Sequence, residues 1–104
     1  MLHTHGTGDT VVPMTGRPIG QAFHQGDVRQ GMAFWRGRDG CNAVPLRRAG
    51  VGELDCEIWN GCASGRELRL CLHAGGHKIP PGWAEMAIDW AEAMSASTAA
   101  RVAR

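Results

Sequence analysis

The stretch LRLCLHAGGHKIPPG, residues 68–82, combines a strand pattern, a glycine turn and a histidine. Leucine occupies every second position of its first five residues, a pattern that is typical of a half-buried β-strand. The two glycines that follow lack a Cβ, so they allow the backbone to turn sharply and leave His77 free to approach a partner. The stretch therefore predicts a strand, then a loop that presents His77, and then a helix after the proline pair.

A second alternating stretch, Leu54–Trp59, lies upstream and has the same pattern of a half-buried strand. The segment between the two strands, Asn60–Arg66, is rich in turn-forming residues. These features predict a β-hairpin. In such a hairpin, Cys56 and Cys71 would lie nearly opposite each other.

Two helices are predicted from apolar residues that recur at helical spacing. Trp35, Trp83 and Trp90 fall on the apolar faces of these helices, and we expect them to be core residues. The remaining predicted elements are the strand Leu2–His5, the loop Gly6–Gly26, the helix from Asp27 to Arg36, the irregular segment Arg38–Gly52 and the helix from Trp83 to Met94.

The order of these elements is strand, long loop, helix, hairpin, tight loop and helix. This order is typical of one edge of an α/β sheet rather than of a complete two-sided fold. The chain has 104 residues, which is the size of one small domain. We therefore expect residues 1–104 to form a single, partial α/β domain. Because an incomplete sheet exposes its edges, self-association through those edges is also expected.

Composition excludes several classes of function. The formal net charge is +1, so the chain has no general field that would attract nucleic acid or anionic lipid. It has no apolar run of 18 residues, so no membrane span is expected. Its first ten residues, MLHTHGTGDT, lack the basic-then-apolar order of a secretory signal peptide.

A second segment with chemical potential is HGTGDTVVP, residues 5–13. Asp9 follows a strand by one glycine turn, at the position where catalytic groups gather in open α/β sheets. Asp9 could instead cap backbone N–H groups of its own turn, and His77 could be an ordinary loop histidine. His3 and His5 could form a metal site with Asp9, but packing of both histidines under the loop is the favoured interpretation.

These segments resemble parts of the α/β-hydrolases. HGTGDTVVP is similar to their acid-bearing loop, and AGGH, residues 74–77, is similar to their histidine loop. WRGRDGC, residues 35–41, and CASGRELRL, residues 62–70, look like secreted esterases of the polyhydroxybutyrate depolymerase and feruloyl esterase group. The resemblance covers nearly the whole chain but only the C-terminal part of the family's domain. We call residues 5–13 the acid loop and residues 74–82 the histidine loop.

The resemblance implies a catalytic role for two residues. Asp9 would be the acid of a Ser-His-Asp triad, and His77 would be its general base. The serine nucleophile of this family lies upstream in a G-x-S-x-G motif, which the chain lacks. Its serines are Ser64, Ser95 and Ser97. The isolated chain is therefore expected to be inactive.

The resemblance also bears on partners and environment. The parent enzyme would hydrolyse a polyester or a hydroxycinnamoyl or acetyl ester, without a metal or a cofactor, and it would be extracellular or periplasmic. The resemblance implies a disulfide between Cys41 and Cys62. Cys56 and Cys71 would then be free buried thiols or a second, cross-strand disulfide. A competing hypothesis is a small non-catalytic α/β module that binds or interacts with another molecule.

Overall fold

The structure is a computed structural model that describes residues 1–102, with the side chains of residues 47, 51, 64 and 97–102 outside the description. It contains a mixed β-sheet and two long α-helices. The strands are β1 (Leu2–Gly6), β2 (Arg17–Ile19), β3 (Phe23–Gln25), β4 (Arg47–Val51), β5 (Leu54–Trp59) and β6 (Leu68–His73). The helices are α1 (Val28–Asp39) and α2 (Trp83–Val102), and a short 3₁₀ turn spans Ala63–Gly65.

The main sheet has the strand order β1-β6-β5-β4. β1 runs parallel to β6, with Leu2 opposite Arg69 and Gly6 opposite His73. β5 pairs antiparallel with both β6 and β4, while β2 and β3 form a separate two-stranded sheet. The carboxyl ends of β1 and β6 therefore lie side by side, and the acid and histidine loops leave the sheet at the same edge.

The predicted hairpin of the two alternating stretches is confirmed. Cys56 on β5 lies directly opposite Cys71 on β6, and the two form a disulfide. Both residues are fully buried. The central pair of strands is thus joined by backbone hydrogen bonds and by a covalent link inside the core.

The two helices cover opposite faces of the sheet. On one face, Met32 of α1 packs with three buried residues of β5 and β6. On the other face, Met86 of α2 packs with another buried group. The expectation that β5 and β6 are buried on one face only is therefore wrong, because each face has its own helix. The two buried groups on the strands are Trp59, Leu68 and Leu70, and Leu54, Cys56 and Cys71.

Two predicted coil segments contain strands. The segment Gly6–Gly26 includes the β2–β3 pair, and the segment Arg38–Gly52 includes β4. β4 is an edge strand with the sequence RRAGV, and it lacks the apolar alternation that marks a buried strand. Charged residues are usual on edge strands because they discourage pairing with other chains. The pattern that identifies core strands therefore gave no signal here.

Both helices extend beyond their predicted ends. α1 continues past Gly37 to Asp39, because it is Gly40 that takes the left-handed conformation and donates its N–H to the last turn. α2 continues past Met94 to Val102 through an alanine-rich segment of high helix propensity. Residues 103 and 104 of the predicted tail lie outside the described residues.

The prediction that Trp35 is a core residue is wrong, because this residue is 39% exposed. Trp59 is the buried tryptophan at this end of α1, and the guanidinium of Arg36 lies 5.1 Å from the centre of its ring. Arg36 therefore covers the core here, while Trp35 makes an edge-to-face contact with Phe34. Trp83 and Trp90 on α2 are half-buried.

A second disulfide, Cys41–Cys62, joins the end of α1 to the hairpin loop. Backbone contact reinforces this connection, since the N–H of Asn42 donates to the carbonyl of Asn60 at 2.9 Å. Two disulfides in a chain of this size are consistent with an oxidising environment. Neither helix is long and apolar enough, over the described residues, to cross a membrane.

The two disulfides are expected to differ in their contribution to stability. Each closes a loop of similar length, so chain entropy alone predicts that each contributes about 3 kcal/mol to the free energy of unfolding. Cys56→Ala with Cys71→Ala also leaves a void in the core, so it should cost about 1–2 kcal/mol more. Cys41→Ala with Cys62→Ala is the matched control. Denaturant unfolding would contradict this expectation if the control pair lost as much stability or more.

Candidate acid–histidine site

The acid loop begins with the last two residues of β1, His5 and Gly6, and continues as a tight turn. The N–H of Asp9 donates to the carbonyl of Gly6 at 3.1 Å. One carboxylate oxygen of Asp9, Oδ1, accepts from the N–H groups of Val11 at 2.9 Å and Val12 at 2.8 Å. An aspartate that accepts from backbone groups two and three residues ahead stabilises the turn in which it lies. The loop therefore fixes the orientation of its own carboxylate.

The acid loop and the histidine loop are bonded to each other through their backbones. The N–H of Thr7 donates to the carbonyl of His73 at 2.8 Å, and the N–H of Gly8 donates to the carbonyl of Gly75 at 3.0 Å. A Cβ at Gly6 would collide with the carbonyl oxygens of Gly75 and Gly76. The close approach of the two loops therefore requires glycine at position 6.

This approach brings Asp9 and His77 into contact. The Nδ1 atom of His77 lies 2.8 Å from Oδ2 of Asp9, although the residues are 68 positions apart in the chain. Asp9 is only 7% exposed, whereas the side chain of His77 is 56% exposed. The opposite ring nitrogen of His77, Nε2, has no hydrogen-bond partner among the described residues. The pair therefore presents a free imidazole nitrogen at the surface.

The two interpretations of Asp9 that the sequence allowed are both present in the structure. Oδ1 caps the backbone of the acid loop, and Oδ2 contacts His77. The two oxygens divide these roles, so the turn-capping function does not compete with the contact to the histidine. Whether the pair is catalytic stays a prediction.

The pKa of the Asp9 carboxyl is lowered from its ordinary value. Burial alone would raise this pKa, because it penalises the charged form. Hydrogen bonds from the N–H of Val12, from His77 and from the N–H of Val11 together outweigh burial. The carboxylate is therefore ionised at neutral pH and can only accept a hydrogen bond. Neutral His77 must then carry its proton on Nδ1, which leaves the lone pair on the exposed Nε2.

His3 and His5 point to the same face of β1 and lie under the acid loop, as the favoured interpretation expected. Nε2 of His3 lies 3.2 Å from Nδ1 of His5, and Nε2 of His5 lies 2.6 Å from the carbonyl oxygen of Val12. Both ring nitrogens of His5 are thus engaged with protein groups. The described residues contain no group of three or more histidine, cysteine or acidic side chains that could hold a metal ion.

A cavity of about 400 Å³ opens beside the pair. Four of the five histidines of the chain line it, together with Asp9 and apolar residues that include Ile79 and Trp83. The indole N–H of Trp83 donates to the hydroxyl of Thr4 at 2.7 Å and so anchors the start of α2 on β1. Sequence reasoning placed Trp83 in the core and missed this polar anchor. The signal was a tryptophan in the first turn of a helix, where its N–H can reach a neighbouring strand.

No described serine lies near His77. Ser64 is in the 3₁₀ turn that precedes β6, so the length of this strand, about 20 Å, separates it from the histidine loop. Ser95 lies about 18 Å along α2 from its first residue, and the side chain of Ser97 is outside the description. The hydroxyl of Thr7 is bonded to the carbonyl of His73. The described residues therefore supply an acid and a base but no placed nucleophile.

Gly6→Ala is expected to separate the two loops. The new methyl group would collide with backbone carbonyls, which cannot rotate away, so the unfolding free energy should fall by about 1–3 kcal/mol. The proton between His77 and Asp9 should disappear from the NMR spectrum. Gly76→Ala is the matched control, because a Cβ there meets only the carbonyl oxygen of Gly8, at an ordinary contact distance of 3.8 Å. Equal effects of the two variants would contradict this account.

Stability is expected to fall as the pH drops below about 6.5, because of His3. Burial, followed by repulsion from His5, lowers the pKa of His3 in the folded state. Between the two pKa values, the unfolded chain binds a proton that the folded chain does not, so acidification favours unfolding. His3→Gln should flatten the dependence of unfolding free energy on pH between 7.5 and 5.5. A variant with the same slope as the unaltered chain would rule out this role for His3.

Comparison of the chain with protein-family models, curated proteins and solved structures found no match. What the site can do must therefore be inferred from the Asp9–His77 pair and from the groups around it. The pair has the polarity of a general base held by an ionised acid, with the basic nitrogen open to a reactant.

Proposed function

We propose that this chain is the acid–histidine part of a serine carboxylic ester hydrolase with the α/β-hydrolase fold. The parent enzyme would be of the polyhydroxyalkanoate depolymerase or the feruloyl or acetyl esterase type. A different segment of that parent would supply the serine nucleophile. The observation that carries the proposal is the 2.8 Å contact between Asp9 and His77, with the second nitrogen of the imidazole exposed.

The position of the pair in the sheet supports the proposal. Asp9 and His77 follow adjacent parallel strands at their carboxyl ends, where catalytic groups gather in α/β sheets. Asp9 also precedes His77 in the chain, which is the order in which α/β-hydrolases carry their acid and histidine.

The chemistry follows from the protonation state of the pair. Asp9 accepts a hydrogen bond from the Nδ1–H of His77, so Nε2 of His77 carries the lone pair. Nε2 can therefore accept the proton of a serine hydroxyl as the serine oxygen attacks the ester carbonyl. The resulting imidazolium is stabilised by the carboxylate. It then gives its proton to the departing alcohol, which leaves an acyl-serine. Water, activated by the same nitrogen, hydrolyses the acyl-serine and regenerates the pair.

The substrate and location of the parent follow from the same proposal. The substrate would be a polyester or a hydroxycinnamoyl or acetyl ester, and the parent would act in the extracellular or periplasmic space. The two disulfides support an oxidising location of this kind, since such bonds are rare in reducing compartments.

The chain alone is expected to be inert toward esters. The chain lacks a serine in a nucleophile elbow that faces His77, so hydrolysis of a p-nitrophenyl ester should not exceed that of the His77→Ala chain. A fluorophosphonate probe should label no serine. Fusion to an upstream α/β-hydrolase segment with a G-x-S-x-G elbow and an oxyanion loop should restore both hydrolysis and labelling.

Variants of the fusion protein separate the site from the fold. His77→Ala should lower kcat by several orders of magnitude, and Asp9→Asn should cost a comparable or somewhat smaller factor. His24→Ala is the matched control, because His24 lies exposed on β3, outside the site. Unchanged activity of the His77→Ala fusion would disprove the site assignment. Robust hydrolysis by the unfused chain would disprove the proposal that the nucleophile comes from elsewhere.

A further inference from the structure

We propose that His5 is a positioning residue that holds the acid loop in the shape in which Asp9 meets His77. The proposal rests on the acid–histidine pair described under the proposed function. His5 lies on β1 at the start of the acid loop, its side chain contacts the later part of that loop at Val12, and it is only 8% exposed. An apolar side chain could fill the same buried space, so the polar contacts of the His5 imidazole indicate its role.

The link from His5 to Asp9 runs through Val12. Nε2 of His5 lies 2.6 Å from the carbonyl oxygen of Val12, and the N–H of Val12 donates to Oδ1 of Asp9 at 2.8 Å. Both backbone groups of Val12 are therefore engaged, one by the histidine and the other by the acid. Removal of the bond from His5 would release the carbonyl of Val12, the residue whose N–H donates to the carboxylate of Asp9.

His5 acts on the loop without competing for the carboxylate. Its Nε2 lies 3.9 Å from Oδ2 of Asp9, which is beyond hydrogen-bond distance, whereas Nδ1 of His77 lies 2.8 Å from the same oxygen. Oδ2 thus stays available to His77. His5 therefore shapes the loop, whereas His77 is the ring that Asp9 orients.

The tautomer of His5 is set by its two neighbours. A carbonyl oxygen can only accept, so Nε2 of His5 must carry the proton, and its Nδ1 must then be the acceptor. Nε2 of His3, 3.2 Å away, can donate to this Nδ1. His3 therefore keeps His5 in the form that donates to Val12, and the chain of bonds runs from His3 to the acid loop.

The competing explanation is that His5 only fills space under the loop. His5→Phe tests it, since phenylalanine keeps a planar ring but has no donor for Val12. His5→Gln is the rescue variant, because its amide can donate to the carbonyl of Val12 and accept from His3. His24→Phe is the control for removal of a histidine outside the site.

The readout is the state of the His77 ring in the 104-residue chain, labelled with ¹⁵N in its histidines. At a pH where the ring is neutral, the unaltered chain and the control should show one tautomer, with the proton on Nδ1 and a resolved resonance for the proton shared with Asp9. His5→Phe should lose this resonance and populate both tautomers. His5→Gln should restore the single tautomer.

Retention of the single tautomer in His5→Phe would overturn the proposal, and so would failure of His5→Gln to restore it. If His5→Phe does not fold, His5→Met is compared with His5→Gln, because the two side chains have similar reach and differ in the donor. Folding is judged from the amide resonances of the β5–β6 hairpin. Loss of the fold in both variants without a donor would also overturn the proposal, since the bond would then hold the whole domain rather than the loop.

These outcomes do not depend on ester hydrolysis. If the fusion protein fails to hydrolyse esters while the His77 ring responds as expected, the proposed function fails and the role of His5 stands. If hydrolysis is restored and His5→Phe leaves the His77 ring unchanged, the esterase proposal stands and the role of His5 fails.

Discussion

The parallel pairing of β1 with β6 is the interaction on which the candidate site depends. It places Gly6 opposite His73, and the hydrogen bonds of this ladder continue beyond the strands from Thr7 to His73 and from Gly8 to Gly75. The two loops therefore extend from the neighbouring carboxyl ends of β1 and β6. A shift of β1 by one register position would move Asp9 and His77 apart and would turn the side chains of β1 to the opposite face of the sheet.

β6 can position the site because the rest of the fold fixes it from every side. It has a strand on each edge, a helix on each face and a disulfide to β5. β1 has fewer restraints, since β6 is its only strand partner among the described residues. The bond from Trp83 to Thr4 adds one further attachment. Asp9 thus follows an edge strand, β1, whereas His77 follows a central strand, β6, which has more restraints.

The sequence predicted the parts of this structure that have strong local or pairwise signals. Alternating leucines identified β6 and its hairpin partner, and the glycine turn identified the loop that presents His77. β2, β3 and β4 were missed because short or charged edge strands lack the alternation that burial imposes. The roles of His5 and Trp83 were missed because their partners, Val12 and Thr4, are identifiable only after the strands and loops are placed in space.

The burial of the Cys56–Cys71 disulfide has a consequence for when this bond can form or break. Its sulfur atoms lie between the hairpin and α2, where no oxidant or reductant can reach them in the folded state. Thiol–disulfide exchange requires direct access of one sulfur to another. This bond can therefore form or break only while α2 is undocked from the hairpin. Once the core has closed, the bond is shielded for as long as α2 remains in place.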